Sequence, residues 1–188
     1  MSYFNLDKDQ TRYLRDLVKG EVVADLGCGM GMLTKLMARM GASMVHGVDK
    51  KVLTDRNSKR VHWHQSYLAY WQMPLDVEIA VVSWPQNTPL QGITELLQAV
   101  PHVVYIGKNT DGTACGNPAL MRYLSGREAH TYLPNNKNTL IHYGSGDRKL
   151  QRCIYHEEYA ALAQGILCYA PSVECITNEG WENRFSRA

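Results

Sequence analysis

Residues 22–32 read Val-Val-Ala-Asp-Leu-Gly-Cys-Gly-Met-Gly-Met, and this stretch decides the fold of the chain. Its apolar first half predicts a buried strand. Helix-type sequence follows at once, with Leu33, Leu36, Met37 and Met40 at spacings of three and four residues. A strand, a glycine-rich turn and a helix in that order are typical of a nucleotide-binding βα unit.

The glycines of this turn have separate expected roles. Gly27 and Gly29 can turn tightly and take a positive φ without a Cβ clash. Gly29 and Gly31 would let a ligand approach the backbone closely. The dinucleotide fingerprint G-x-G-x-x-G needs a glycine where this chain has Met32. Asp25 at the strand end also suits a cationic amine better than a phosphate, although an ordinary glycine-rich turn remains the alternative.

The acidic residue and the three glycines together resemble the first motif of class I, Rossmann-like S-adenosylmethionine (SAM)-dependent methyltransferases. In that family the motif is an acidic residue followed by x-Gly-x-Gly-x-Gly, and the loop holds the methionine end of the cofactor. The resemblance implies SAM as cofactor and S-adenosylhomocysteine (SAH) as its product. It implies cofactor contacts from Asp25, Gly27, Cys28, Gly29 and Gly31.

A second acidic residue supports the first motif. Gly41 is a candidate helix C-cap, and residues 43–48 predict a second strand that ends at Asp49. A carboxylate about 20 residues beyond the glycine motif can bind both ribose hydroxyls, and the resemblance implies this role for Asp49. The alternative is a simple turn-forming Asp. Lys50, the next residue, is a further cofactor-binding candidate.

Composition narrows the class of protein. The 188 residues suffice for one domain with a sizeable core, so we predict a single SAM-binding α/β domain over residues 1–188. No apolar run is long enough to cross a membrane. The net charge of +2 gives no electrostatic argument for nucleic acid, without excluding it. Five cysteines without paired spacing argue against a disulfide framework and favour a cytoplasmic location.

The rest of the chain predicts alternating helices and strands. Helices are expected at residues 7–19, 92–100 and 117–124 or 125. Strands are expected at residues 60–64, 77–83 and 102–106. A hairpin of residues 139–143 and 150–155, a short helix at 157–164 and an irregular segment at 165–188 would follow. This order predicts an open, doubly wound, mostly parallel sheet with an antiparallel C-terminal hairpin, the plan of the methyltransferase fold.

Polar residues follow the third predicted strand, where ligands bind in open α/β sheets. The family commonly uses an Asp there to contact the adenine, and this chain has none. Gln65 and Ser66 are the candidates for that contact.

The fourth predicted strand ends in Ser83-Trp84-Pro85-Gln86. Amino-methyltransferases carry a polar residue, then Pro-Pro and an aromatic residue, at this place. Ser83 and Pro85 fit that pattern, whereas Trp84 replaces the first proline and Gln86 the aromatic residue. Ser83 is therefore a candidate for both cofactor and acceptor contacts, and Trp84 for stacking on a flat group. A strand end with a packed Trp is the alternative.

The loop after the fifth predicted strand, residues 107–117, is dense in glycine and small polar groups. Lys108, Asn109 and Asp111 could line an acceptor site, with a solvated turn as the alternative. If the acceptor must lose a proton, Asp111 or His64 is a candidate base.

The predicted function is methyl transfer from SAM to an acceptor. A small molecule is the first choice, because the chain carries little sequence beyond the sheet, and a nucleobase or protein amide is the second. A SAM-binding regulatory or scaffold protein is the alternative from another class. No metal is predicted, because His62-x-His64 and Cys153-x-x-His156 lack the ligand spacing of a structural zinc site. The oligomeric state is left open.

Overall fold

The computed structural model describes residues 5–51, 57–85, 92–108 and 118–144. All of them belong to one compact unit, Met1–Gly146. The predicted elements at 150–155 and 157–164, and the predicted irregular segment, lie outside the described residues, so the single domain over 1–188 stays a prediction.

The described part of the chain contains four α-helices, one short 3-10 helix (Leu68–Tyr70) and seven strands. The helices are α1 (Lys8–Val18), α2 (Met32–Arg39), α3 (Ile93–Gln98) and α4 (Pro118–Leu124). The strands are β1 (Val22–Leu26), β2 (Met44–Asp49), β3 (Val61–Gln65), β4 (Ile79–Ser83), β5 (His102–Gly107), β6 (Glu128–Pro134) and β7 (Thr139–Gly144). Each element predicted within these residues is present, and no bound differs from the prediction by more than two residues.

The strands form one sheet in the order β3-β2-β1-β4-β5-β7-β6. The pairs from β3 to β5 are all parallel. Strand β7 runs antiparallel to both β5 and β6. The predicted open, mostly parallel sheet with an antiparallel C-terminal pair is therefore confirmed.

The last described strand has two neighbours in the sheet. Residues 139–143 do form a strand, β7, and it pairs with β5 and β6. The predicted hairpin partner, residues 150–155, lies outside the described residues. Strand β6 was missed because most of its residues are exposed and a register shift between Ala129 and Thr131 interrupts its alternation. The available signal was the turn, in which Asn135 Oδ1 accepts the Lys137 and Asn138 N–H groups at 2.7 Å.

Helix α1 follows the predicted apolar face and begins at a capping box. Asp7 accepts the Gln10 N–H at 2.9 Å, and the Gln10 side chain accepts the Asp7 N–H. Leu14 and Val18 are fully buried. They join the core residues Val23, Leu33, Met37, Ala42, Val45, Ile79, Val81, Val104, Ile106 and Leu140.

The residues of the sequence motifs lie at one edge of the sheet. Because β1 to β5 are parallel, their carboxyl ends meet at this edge. Thr139, the first residue of β7, pairs with Gly107 at the end of β5, so the β6–β7 turn lies there too. Within the described ranges, no helix is both long and apolar enough to span a membrane.

Candidate active site at the carboxyl edge of the sheet

The turn between β1 and α2 has the backbone conformation that its glycines predict. The φ angles are +78° at Gly27, +53° at Gly29 and +71° at Gly31, all in the left-handed region. A Cβ atom added at Gly27 or Gly29 would meet no atom within 4 Å. These two glycines therefore leave open space beside the loop.

Gly31 faces a side chain on the side of its missing Cβ. A Cβ there would overlap the six-membered ring of Trp63, a half-buried residue of β3. The close approach that demands glycine at this position is thus made by Trp63.

Hydrogen bonds fasten the glycine loop to the end of β2. The N–H groups of Gly27 and Cys28 donate to the Val48 carbonyl at 2.8 and 3.0 Å. The Gly29 N–H donates to Asp49 Oδ2 at 2.9 Å. Asp49 Oδ1 accepts the Lys51 N–H at 2.9 Å. Each carboxylate oxygen has two lone pairs, so Asp49 retains capacity for ligand hydroxyls.

Asp25 lies fully buried beneath this loop. Its Oδ2 accepts the Thr34 hydroxyl at 2.6 Å, and its Oδ1 has no hydrogen-bond partner among the described residues. Burial raises the pKa of Asp25 to about 7, against the lowering effect of the Thr34 hydrogen bonds, and the nearby Asp49 charge raises it further. Sequence reasoning missed Thr34, whose position in the first turn of α2 lets it link Asp25 to the helix.

The Cys28 thiol is buried and belongs to the protein interior. Burial, and then the charges of Asp25 and Asp49, raise the pKa of Cys28 far above its ordinary value. The thiol therefore stays protonated and is unsuited to act as a nucleophile.

The predicted residues of β2 and β3 come together at the same edge. Asp49 and Gln65 are register partners, and the Ser66 N–H donates to the Asp49 carbonyl at 3.0 Å. Gln65 and Lys50 are exposed. The Ser66 hydroxyl donates to the Tyr67 carbonyl at 3.0 Å.

Trp84, at the end of β4, has an uncommon backbone conformation and an indole N–H without an acceptor among the described residues. Its φ is +50°, which is uncommon for a residue with a side chain. Its backbone N–H donates to the Ile106 carbonyl at 2.6 Å. The indole N–H is buried and has no acceptor among the described residues. Ser83, half-buried, pairs with Ile106 in the sheet.

The remaining predicted site residues lie away from the glycine loop or outside the described residues. His64 Nε2 lies 3.0 Å from His46 Nδ1, and burial lowers the pKa of His64, which keeps its ring neutral at pH 7. Lys108 is exposed. Asn109, Asp111 and Gln86 lie outside the described residues. In the part of the chain that the structure describes, no group of three or more His, Cys, Asp or Glu side chains is arranged to hold a metal ion.

Comparison with solved structures identifies the architecture. Burkholderia thailandensis 1,6-didemethyltoxoflavin-N1-methyltransferase, solved with SAH, is 15% identical over 73% of this chain and 78% of its own, with a TM-score of 0.55. An rRNA methylase from Streptococcus thermophilus is 16% identical over 77% of this chain and 99% of its own, also with a TM-score of 0.55. The chain has the class I methyltransferase fold.

Sequence comparison adds a shorter match to this fold. Protein arginine N-methyltransferase 1 from Dictyostelium discoideum is 35% identical over 80 residues, 37% of this chain. The match spans 24% of the Dictyostelium protein, about a quarter of its length. No protein-family model matches the chain.

Proposed function

We propose that this protein is a SAM-dependent methyltransferase. The observation that carries the proposal is the hydrogen bond from the Gly29 N–H to Asp49 Oδ2, which joins the glycine loop of β1 to the acidic end of β2. It places an open backbone turn beside a carboxylate in the class I methyltransferase fold. The coverage and TM-scores of the similar solved structures support the fold, and the activity is our inference from this site.

The residues present fit the chemistry of SAM. The space beside Gly27 and Gly29 is open to the methionine end of the cofactor. Asp25, whose Oδ1 has no hydrogen-bond partner among the described residues, would supply a buried negative charge beneath the cationic amine at the methionine end. Asp49 would accept the ribose hydroxyls, and Gln65 and Ser66 would contact the adenine.

The chain's task in this reaction is positioning. SAM supplies a methyl group that its sulfonium already activates. The loop and Asp49 would hold the ligand in one orientation, so that the acceptor attacks in line with the departing sulfur. A neutral His64 could take a proton if the acceptor must lose one.

The acceptor is proposed to be a planar small molecule at the end of β4. Trp84 offers an aromatic ring for stacking and an unused indole N–H for an acceptor atom. Ser83 beside it would hold a polar group of the acceptor. Nucleobases and protein amides share this chemistry, and the related proteins include an rRNA methylase and a protein arginine methyltransferase.

Calorimetry followed by an acceptor panel tests this function. We expect SAM and SAH to bind in isothermal titration and NAD to give no heat at the same concentration. Transfer of a labelled methyl group to small heteroaromatic amines, RNA and arginine peptides would then identify the acceptor class. Binding of NAD without SAM would refute the proposal. Tight SAM binding with no transfer would favour the regulatory alternative. The proposed location is the cytoplasm, because the five cysteines have no paired spacing that would favour a disulfide framework.

A further inference from the structure

Trp63 fills a slot between the glycine loop and the sheet. Trp63 pairs in register with Gly47 of β2. Its ring occupies the space that a Cβ at Gly31 would need, and a Cβ at Gly47 would lie 2.7 Å from ring atom Cζ3. The Thr34 methyl group borders the same slot, 3.1 Å from that added Cβ. Two glycines and one methyl group thus shape a space for one ring.

One further contact is made by the ring, and another by the Trp63 backbone. The Lys35 ammonium of α2 lies 5.9 Å from the centroid of the Trp63 ring, within the range of a cation–π interaction. The Trp63 backbone N–H donates to Asn57 Oδ1 at 2.8 Å. Trp63 therefore connects β3 to the first turn of α2.

We propose that Trp63 is a positioning residue for the cofactor loop. Its ring sets the height of Gly31 and of the first turn of α2 above the sheet. Since Thr34 in that turn donates to Asp25, the ring also sets where the buried carboxyl meets the helix. The third glycine of the motif, Gly31, is then required by the ring as well as by its positive φ, while Gly27 and Gly29 border the proposed ligand space. This inference rests on the proposed function, because the loop is taken to bind SAM.

A double-mutant cycle on Gly47 and Trp63 tests this role. Gly47 is suited to it because its backbone lies outside the left-handed region, so that Gly47→Ala changes space and not backbone strain. We expect Gly47→Ala and Trp63→Leu each to weaken SAH binding about tenfold in calorimetry. The double variant should bind SAH about as tightly as Trp63→Leu alone, and not a hundredfold more weakly than the wild type, because the shorter Leu leaves room for the new methyl group.

Two control variants separate positioning from general stability. Trp71→Leu removes a buried tryptophan that contacts His46 and His64, residues that alternate with Gly47 and Trp63 along their strands. Gly126→Ala adds a methyl group with only ordinary contact to the Tyr123 carbonyl. Both should keep SAH affinity within twofold, even if Trp71→Leu lowers the melting temperature.

Several outcomes would overturn the inference. One is a folded Trp63→Leu protein that binds SAH as tightly as the wild type. Another is a double variant whose loss of SAH affinity equals the product of the two single losses. If Trp63→Leu does not fold, the conservative Trp63→Phe should show an intermediate affinity, and wild-type affinity would count against the role. A wild-type protein that binds no SAH would instead remove the proposed function and this inference with it.

Discussion

Gly29 and Asp49, twenty residues apart in sequence, are joined by a hydrogen bond of 2.9 Å from the Gly29 N–H to Asp49 Oδ2. The bond ties the turn after β1 to the end of β2, so one carboxylate both shapes the loop and faces the ligand space. A change at Asp49 is therefore expected to alter the glycine loop as well as the proposed ligand contact.

Asp49→Ala should weaken SAH binding about 10- to 100-fold, because hydrogen bonds to a charged group contribute roughly 1.5–3 kcal/mol. Calorimetry on the folded variant measures this change. Asp9→Ala is the matched control, since it removes the same charge from an exposed surface pair with Arg12. Equal SAH affinities for the two variants would leave Asp49 as a turn residue.

Gly27→Ala should lose most SAH affinity, and Gly20→Ala should keep it. The two glycines have nearly the same φ, +78° and +81°, and an added Cβ meets nothing within 4 Å at either position. Both variants should lose about 1–2 kcal/mol of stability from the left-handed backbone. Only Gly27 lies in the cofactor loop, so a shared loss of affinity would mean that backbone strain alone explains the result.

Asp25→Asn should remove the loss of folding stability that the wild type suffers when the buried Asp25 carboxyl ionises. The folded pKa of Asp25 is raised from 3.8 to about 7, so the folded state retains a proton that the unfolded chain has lost. Stability from this group is present below pH 4 and is lost as the pH rises to 7. The stability of the variant relative to the wild type should thus rise by at most about 1.4 kcal/mol per pH unit in that window. Urea unfolding at pH 4.5, 6 and 7.5 measures this, and a constant difference would contradict it.

The same Asp25→Asn protein should bind SAH more weakly at pH 8, where the wild-type carboxylate is available to a cationic amine. Calorimetry in two buffers of different ionisation enthalpy should also show proton release on SAH binding to the wild type near pH 7. Unchanged affinity in the variant would mean that Asp25 serves only to anchor α2 through Thr34.

Acidification should destabilise the folded protein through two buried histidines. Burial is the main cause that lowers the pKa of His46 and of His142 to about 4. The unfolded chain binds these protons near pH 6.5, so stability is present above that value and is lost as the pH falls toward 4. Asp25 acts in the opposite direction over part of this window. Unfolding of Asp25→Asn should therefore depend on pH more steeply than that of the wild type, and equal slopes would refute this account.

Trp84→Phe should slow methyl transfer while leaving SAH affinity within twofold. The change keeps an aromatic ring and removes the indole N–H that has no acceptor among the described residues. Once the acceptor panel yields a substrate, steady-state kinetics measures the effect, expected to be about tenfold on kcat/KM because the proposed hydrogen bond from the indole to the methyl acceptor is lost. An unchanged rate would assign Trp84 to packing alone.

The sequence by itself determined the βα unit, the parallel sheet and the glycine conformations. The local sequence predicts these features, because apolar periodicity indicates α1, a continuous apolar run indicates β4, and glycine at positions 27 and 29 permits a positive φ. It also located Asp49, since the end of β2 follows the motif at a characteristic distance.

Only the tertiary structure decided which residues support the motif. Strand β6 escaped prediction because an exposed edge strand has little apolar pattern, and the order β5-β7-β6 depends on long-range pairing. Thr34 meets Asp25 only when α2 folds back on β1, and Trp63 meets Gly31 only when β3 lies beside β2. The role of a glycine depends on what fills the space of its missing Cβ, and that neighbour comes from a distant part of the chain.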